Sequence, residues 1–382
     1  MIIGQFGESY PPTIDGVGGV MINYCREMNR RGHRSIFVGP NNKESTGLPD
    51  VETRLYTAMK LAKVPYRAGF PQIQPLFKRE LKGIPFDIVH AHAPFMAGWL
   101  AREIAREKNI PLVATFHSKY YDDFYRVTHS HAVTKRLIKV VMNFFEDCDE
   151  VWTVNESTAR VLQEYGYKGP ITIMQNGVNP DEGAAEGDIS DLPLKENVAR
   201  LLFVGQQDYK KGTRELIRSC GILKQEDVSF QLVMVGEGQD RSALEKEARE
   251  LGIGEDVLFT GRISDRDRLM AIYRQADLFV FPSVYDNAPL VVREAAQVGT
   301  PSLVVSGSCA AEGMEDGKNG FLCDGSAADI AECIKKALPM AEQVGQEARR
   351  SIPITWELIG GHIEKRYQDL IEKRKAETTR ES

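Results

Sequence analysis

Short β-branched runs alternate with amphipathic helical stretches along most of this 382-residue chain, and the alternation is interrupted once. Strands are predicted at residues 2–6, 34–39, 86–90, 111–116 and 150–154, with a first helix from about residue 19 to 31 that stops at Gly32. Residues 181–196, DEGAAEGDISDLPLKE, are then acidic, rich in small side chains and aperiodic, as a surface linker is. The pattern restarts with runs at 199–205, 230–236, 257–260, 278–281 and 300–305. Such alternation specifies a parallel sheet with helices on both faces. Its repetition, in a chain too long for one core, predicts an α/β protein with doubly wound domains at 1–180 and 199–350, a linker at 181–198 and a C-terminal helical segment at 351–382. Two such sheets facing each other make a cleft outside the carboxyl ends of their strands, where ligands of this architecture bind. The last helix is predicted from Trp356 to Arg374, with a frayed tail beyond it.

Composition excludes several classes. Lys and Arg number 48 against 54 Asp and Glu, a net charge of −6, where a dedicated nucleic-acid binder would carry a basic footprint. No apolar run is long enough to span a bilayer. Met1-Ile2-Ile3-Gly4 leads straight into strand sequence, without the basic end and cleavage site of a secretory peptide. The six cysteines are scattered, with no C-x-x-C pair, and read as buried thiols of a reducing compartment. A cytoplasmic location is therefore expected.

Three segments could carry chemistry. Gly16-Val17-Gly18-Gly19, after Asp15, follows the first strand and opens a helix whose free amides could meet an anion. A ligand-free tight turn would look the same, and the spacing is not the dinucleotide fingerprint G-x-G-x-x-G. In Val204-Gly205-Gln206-Gln207-Asp208-Tyr209-Lys210-Lys211-Gly212, a lysine beside a glycine turn could pair with phosphate, or could be a solvated turn. In the third, Asp286 and Glu294 stand with seven residues between them, the first in a loop and the second in the following helix. Asn287, Ala288, Pro289, Leu290 and Val291 form the entry to that helix, where backbone amides can meet an anion. Each carboxylate could accept hydrogen bonds from a vicinal diol; the plain alternative is a capping loop and a solvated Glu.

The set Gly18-Gly19, Thr115-Phe116-His117, Asn176-Gly177-Val178, Gly205 with Lys211-Gly212, and Asp286 with Glu294 resembles the GT-B glycosyltransferases of family 4, from residue 1 to about 375. The resemblance implies two Rossmann-like domains facing across a cleft, with the last helix packing back on the first domain. It implies a retaining hexosyltransferase that needs no metal or cofactor and uses a nucleotide-sugar donor as co-substrate. Carried over by position, Gly18 and Gly19 would lie near the donor diphosphate and acceptor, and Lys211 would pair with the donor phosphates. Asp286 would hold hydroxyls of the transferred sugar and Glu294 the ribose diol. His117 would contact the donor sugar near the reacting carbon, and the backbone near Ile263 would meet the base. The amides from Asn287 to Val291 would stabilise the leaving diphosphate. Three positions depart from the family's pattern: Gln206 replaces an Arg, Asp286 a Glu, and Asn287-Ala288-Pro289 a Gly-Phe-Gly. Domain closure is expected to accompany donor binding.

Other polar clusters point less specifically. Asp147-Cys148-Asp149 has the D-x-D form of metal-dependent transferases but precedes its strand, so it reads better as a helix end. His90-Ala91-His92 and His129-Ser130-His131 each place two imidazoles on one face of an extended segment. Without further ligands at matching spacing, zinc is not favoured. His90, His92 and Tyr120 are instead expected to touch the acceptor. Residues 56–83 interleave Lys60, Lys63, Arg67, Lys78, Arg79 and Lys82 with apolar side chains, and 135–145 run from basic to apolar. Either could dock on an anionic membrane, as could an ordinary solvated helix face. The run from Thr115 to Phe124 also resembles the branch that glucosylates diacylglycerol. The expectation is thus transfer of glucose from UDP-glucose to a membrane lipid, at the inner face of the plasma membrane. Polysaccharide-precursor or small-molecule acceptors, a sugar-nucleotide epimerase and a non-catalytic partner subunit are the rivals.

Overall fold

In the computed structural model, which describes residues 1–11, 16–45, 47–60, 67–117, 120–179 and 187–381, the predicted strands form two wholly parallel sheets. Asp15, Lys63, Ser118, Lys119 and residues 181–186 of the expected linker lie outside the described residues. The chain divides into two compact units, 1–176 with 356–382, and 177–355.

The first unit holds strands β1 (Ile2–Phe6), β2 (Arg34–Pro40), β3 (Glu52–Tyr56), a short hairpin of β4 (Met59–Lys60) and β5 (Arg67–Ala68), then β6 (Ile88–Ala91), β7 (Leu112–Phe116), β8 (Glu150–Thr153) and β9 (Ile171–Ile173). Its large sheet runs in the order β3-β2-β1-β6-β7-β8-β9. The helices are α1 (Gly16–Arg30), α2 (Pro75–Gly83), α3 (Met96–Lys108), α4 (Tyr120–Thr128), α5 (His131–Glu146) and α6 (Glu156–Glu164). Gly32, at φ 81°, ends the turn after α1 as expected of a glycine past a helix end.

The second unit repeats the plan with β10 (Ala199–Val204), β11 (Phe230–Val235), β12 (Val257–Gly261), β13 (Leu278–Phe281), β14 (Ser302–Val305) and β15 (Phe321–Cys323), ordered β12-β11-β10-β13-β14-β15. Its helices are α7 (Thr213–Gln225), α8 (Arg241–Glu250), α9 (Arg266–Gln275), α10 (Leu290–Gln297), α11 (Ala327–Ala337) and α12 (Ala341–Ser351). Each sheet reverses its winding direction between its first and fourth long strands, β1 and β6 or β10 and β13. Ligands of this fold bind outside the strand ends at that point. Central strands are buried on both faces, hence their near-continuous apolar runs.

Helix α13 (Trp356–Glu381) returns to the first unit. Trp356, Ile359, Ile363, Tyr367, Leu370 and Ile371 form its buried stripe at helical spacing, each side chain worth about 1.5–3 kcal/mol when fully buried. Gly360 admits close approach to α1, since a Cβ there would fall 2.1 Å from Glu27 Cγ. Arg31 Nη1 and His33 Nε2 meet Glu364 at 3.0 and 2.8 Å. The tail expected to fray stays helical to Glu381, because Arg374 pairs with Asp149 and Thr378 Oγ1 accepts from Asn109 Nδ2 at 3.0 Å.

Candidate active site

In the second unit, the loops after β10 and β13 flank the winding reversal, and the residues predicted for a phosphate and a sugar sit on them. After β10, Gln206 is exposed, whereas Gln207 is buried and donates from Nε2 to the Gly236 carbonyl at 2.9 Å. Asp208 caps the turn Tyr209–Lys211, accepting from the Lys210 amide at 3.0 Å. Gly212 closes it at φ 69°, and a Cβ there would lie 2.4 Å from the Pro282 carbonyl oxygen. Glycine is thus required for the turn to abut the loop after β13, where Lys211 Nζ forms an ion pair with Asp286 Oδ1. Asp286 Oδ2 accepts from Ser283 Oγ at 2.5 Å. The Tyr285 ring carries both lysines, Lys210 Nζ at 4.5 Å and Lys211 Nζ at 5.2 Å from its centroid.

Glu294 lies in α10, its Oε1 accepting from Arg266 Nη2 at 2.9 Å and its Oε2 from the Tyr273 hydroxyl at 3.2 Å. Burial, then the Glu294 charge, push the Tyr273 phenol far above its ordinary value, so it remains a donor. Both carboxylates are therefore oriented, yet an ionised carboxylate has about four lone-pair sites and each retains capacity for hydroxyls. Pro289 is the extended N-cap of α10. It carries no N–H, which corrects the expectation that every amide from Asn287 to Val291 could serve. Ile263, after β12, is half-buried against the core, which leaves its backbone for any ligand contact. The grouping of an ammonium, a helix N-terminus and two held carboxylates suits an anionic, polyhydroxylated ligand. Ser283, Arg266 and Tyr273 escaped sequence reasoning. Ser283 stands three residues before Asp286, a readable signal, but the partners of Glu294 arrive from another helix.

In the first unit, α1 starts at Gly16, so Gly18 and Gly19 occupy its opening turns, with Gly18 buried and Gly19 half-buried. The expected acceptor contacts fare differently. His90 and His92 are completely buried, stacked at 4.3 Å and edged by the Tyr24 ring. His90 bonds Tyr367 Oη at 2.6 Å and Thr115 Oγ1 at 2.7 Å, and His92 bonds Gln5 Oε1 at 2.8 Å and His117 Nε2 at 3.3 Å. Tyr120 is buried among Phe95, Phe116 and Phe124. None of the three presents a surface to an acceptor, because α13 and the aromatic cluster cover the positions that strand polarity alone left open. His117, 9% exposed, is the outermost of the three connected histidines. Burial drives all three toward the neutral imidazole, His117 down to about 3.

Asp147 caps the end of α5 and pairs with Arg102 and Arg106, while Asp149 accepts from the Leu112 amide at 2.8 Å and pairs with Arg374. His131 Nδ1 bonds the Tyr121 hydroxyl at 2.7 Å. Among the described residues no three His, Cys, Asp or Glu side chains converge as a metal ion would need. No helix among them is long and apolar enough to cross a membrane.

Two family models match: Glycosyltransferase Family 4 over residues 14–182 and Glycosyl transferases group 1 over 186–351, together most of the chain. The alpha-monoglucosyldiacylglycerol synthase of Streptococcus pneumoniae is 25% identical over 97% of this chain and 86% of its own. A GDP-mannose-dependent alpha-mannosyltransferase of Corynebacterium glutamicum is 23% identical over 97% and 89%. The glycogen synthase of Mycobacterium tuberculosis is 28% identical over 69% of this chain and 63% of its own. Among solved structures, sucrose-phosphate synthase from Thermosynechococcus elongatus superposes with a TM-score of 0.81 at 20% identity, covering 97% of this chain and 99% of that one. HepE of Anabaena, in complex with UDP-glucose, does so with a TM-score of 0.76 at 18% identity, covering 97% and 100%.

Proposed function

The chain belongs to the GT-B glycosyltransferases of family 4, and from that premise we propose that it transfers glucose from UDP-glucose to a hydroxyl of a membrane lipid such as diacylglycerol, with retention at the anomeric carbon. The observation that carries the donor half is the Lys211–Asp286 pair beside Glu294, at the winding reversal of the second sheet. Lys211 and the α10 amides would neutralise the diphosphate, Asp286 would accept from hydroxyls of the hexose, and Glu294 from the ribose diol. HepE, solved with UDP-glucose, supports the choice of donor. Asp286 and Glu294 are both held by neighbouring side chains and are assigned to hydroxyls, so a front-face path is favoured over a carboxylate nucleophile. The bond from the anomeric carbon to the leaving phosphate breaks as the acceptor oxygen bonds the same face, and the acceptor proton passes to the leaving phosphate. No metal enters this scheme.

The lipid half rests on the diacylglycerol-glucosylating relatives and on the surface of α4 and α5. Helix α5 buries one apolar stripe, Ile138, Val141, Met142, Phe144 and Phe145, yet exposes a second one, Val133, Leu137 and Val140, at i, i+4, i+7 spacing. Lys135, Arg136 and Lys139 stand exposed beside it, and Tyr125 and Val127 of α4 add to the apolar surface. A purely solvated face would be polar throughout; this one fits an anionic lipid surface. The 56–83 stretch is a weaker candidate, because Lys78 and Lys82 are paired with Glu103 and Glu107. A glucan acceptor is the second reading, favoured by the glycogen synthase likeness.

UDP release from UDP-glucose, measured with diacylglycerol in anionic mixed micelles, with a glucan primer, and with neither, separates these readings. Release that depends on diacylglycerol, and falls when Leu137 and Val140 are both changed to Glu, is expected. Release that depends on the primer would replace the lipid, and none in any arm would overturn the choice of donor.

A further inference from the structure

Two ammonium groups of the second unit converge on one aromatic ring, and only one of them has a hydrogen-bonded partner. Tyr209–Lys211 is a 3₁₀ turn, in which successive side chains leave about 120° apart. Lys210 and Lys211 should therefore diverge, yet their Nζ atoms lie 4.5 and 5.2 Å from the centroid of the Tyr285 ring, both inside cation–π range. The Lys210 side chain is 25% exposed, low for a residue type that is mostly in water. The turn that carries both is fixed by its neighbours: Asp208 Oδ1 accepts from the Lys210 amide at 3.0 Å, and Asp240 Oδ2 from the Tyr209 amide at 2.8 Å.

The two lysines differ in what they have left to give. Lys211 already donates to Asp286 Oδ1. The carboxylate paired with Lys210 is Asp208, whose Oδ2 stands 3.7 Å from Nζ, beyond hydrogen-bond reach. That oxygen accepts instead from Gln239 Nε2 at 3.2 Å, and Lys210 Nζ makes no hydrogen bond among the described residues. An ammonium carries three rotatable donors and no acceptor, so all three of Lys210 are available to the oxygens of an anion. Gln206, exposed on the same loop, adds no charge. Tyr285 accounts for two like charges held together before any anion arrives, since its ring attracts both while Asp208 and Asp286 flank them.

We propose that Lys210 and Lys211, gathered on the Tyr285 ring, form a two-cation clamp for a diphosphate, in which Lys210 supplies the uncommitted charge. A single phosphate engages one ammonium, whereas two linked phosphates engage both, so the clamp selects diphosphates over monophosphates. In a glycosyltransferase it would favour the sugar nucleotide and its leaving diphosphate over a nucleoside monophosphate. That the diphosphate belongs to a sugar nucleotide rests on the reading of Lys211 given above; that two ammonium groups share one anion does not.

Calorimetric titration of the full chain with UDP, UMP and inorganic pyrophosphate tests the clamp. Lys210→Met keeps an unbranched stem on Tyr285 and removes the charge. It should weaken UDP and pyrophosphate about tenfold, as the loss of one charge-assisted bond does, while UMP changes less than about threefold. Lys210→Arg keeps the charge and should recover most of the UDP affinity. Folded Lys210→Met that binds UDP and pyrophosphate within about twofold of the parent overturns the proposal. An equal loss for UMP and UDP marks a distorted loop and overturns it too. If Lys210→Met does not fold, Lys210→Gln carries the same comparison. A parent that binds pyrophosphate but not UDP refutes the sugar-nucleotide reading, and the pyrophosphate titrations of parent and variant then decide the clamp by themselves; a parent that binds neither overturns both.

Discussion

Replacing Lys211 with Ala separates catalysis from stability more cleanly than any other change in the second unit. In the resting protein Lys211 Nζ is paired with Asp286, whose other oxygen accepts from Ser283 Oγ at 2.5 Å. The side chains of the pair are 11% and 22% exposed, and Asp286 keeps its Ser283 bond when the lysine is gone. A partly solvated pair of this kind is worth about 1 kcal/mol, which in a domain of this size moves Tm by about 2–4 °C. Against a diphosphate the account differs. Two unit charges 4 Å apart at an effective dielectric constant of about 20 interact by about 4 kcal/mol, and that interaction grows as the leaving group gains charge. Removing one such stabilising group commonly costs a factor of about 10²–10³ in kcat.

Lys211→Ala should therefore lose about 10²–10³ in acceptor-dependent UDP release while melting within a few degrees of the parent. Lys211→Arg keeps the charge on a longer, planar head and should fall between. Asp286→Asn and the double variant complete a cycle. If Lys211 only positioned Asp286, the double variant would be no slower than Asp286→Asn alone; separate roles require the losses to compound. Folded Lys211→Ala turning over within about threefold of the parent would refute the phosphate role and the electrostatic argument behind it.

Two further outcomes are expected. Gly212→Ala puts a Cβ 2.4 Å from the Pro282 carbonyl oxygen at a left-handed φ, so it should cost about 1–2 kcal/mol in denaturant titration and raise the donor KM by separating Lys211 from Asp286; a neutral effect on both would refute the close-approach argument. Arg366→Ala deprives Glu150, 2% exposed, of its bidentate partner: burial raises that carboxyl and the bonds from Arg366, Thr172 and Trp152 outweigh it, so its folded value is lowered and its stabilisation is present above the unfolded carboxylate pKa and lost as pH falls through the folded one. The Tm deficit of Arg366→Ala should thus be several degrees near pH 7 and shrink toward pH 3, and a deficit constant with pH would refute the assignment.

What could be read from sequence was what is local in sequence. Central strands such as β10, β11 and β13 are buried on both faces, and their continuous apolar runs announce them. The edge strands β3 and β9 are half-buried and gave no such run. Lys211, Asp286 and Glu294 could be named because each follows its strand at a short interval, while Arg266, 28 positions before Glu294, could not. The tail after Arg374 looked polar enough to fray because its partners, Asp149 and Asn109, lie more than two hundred residues back. His90 and His92 failed for the same reason. Their i, i+2 spacing correctly put them on one face of β6, but only the return of α13, bringing Tyr367, turns that face into an interior.

That correction bears on the acceptor. With His90, His92 and Tyr120 enclosed, any acceptor contact made by the first unit has to come from exposed side chains. The exposed apolar side chains of α4 and α5, Tyr125, Val127, Val133, Leu137 and Val140, follow the strand that ends at Phe116 and adjoin a basic row. A soluble sugar acceptor has no use for such a surface, since it would leave water on exposed Val and Leu at about 25 cal/mol per Å² of apolar area. A lipid acceptor does, because its acyl chains and anionic neighbours meet both the apolar stripe and the basic row. Removing the buried residues from the acceptor site is thus consistent with the proposed lipid acceptor, and under that proposal one surface would serve both acceptor recognition and membrane attachment. Double substitution of Leu137 and Val140 by Glu should accordingly impair vesicle binding and lipid glycosylation in parallel, while UDP release in the absence of any lipid stays unchanged.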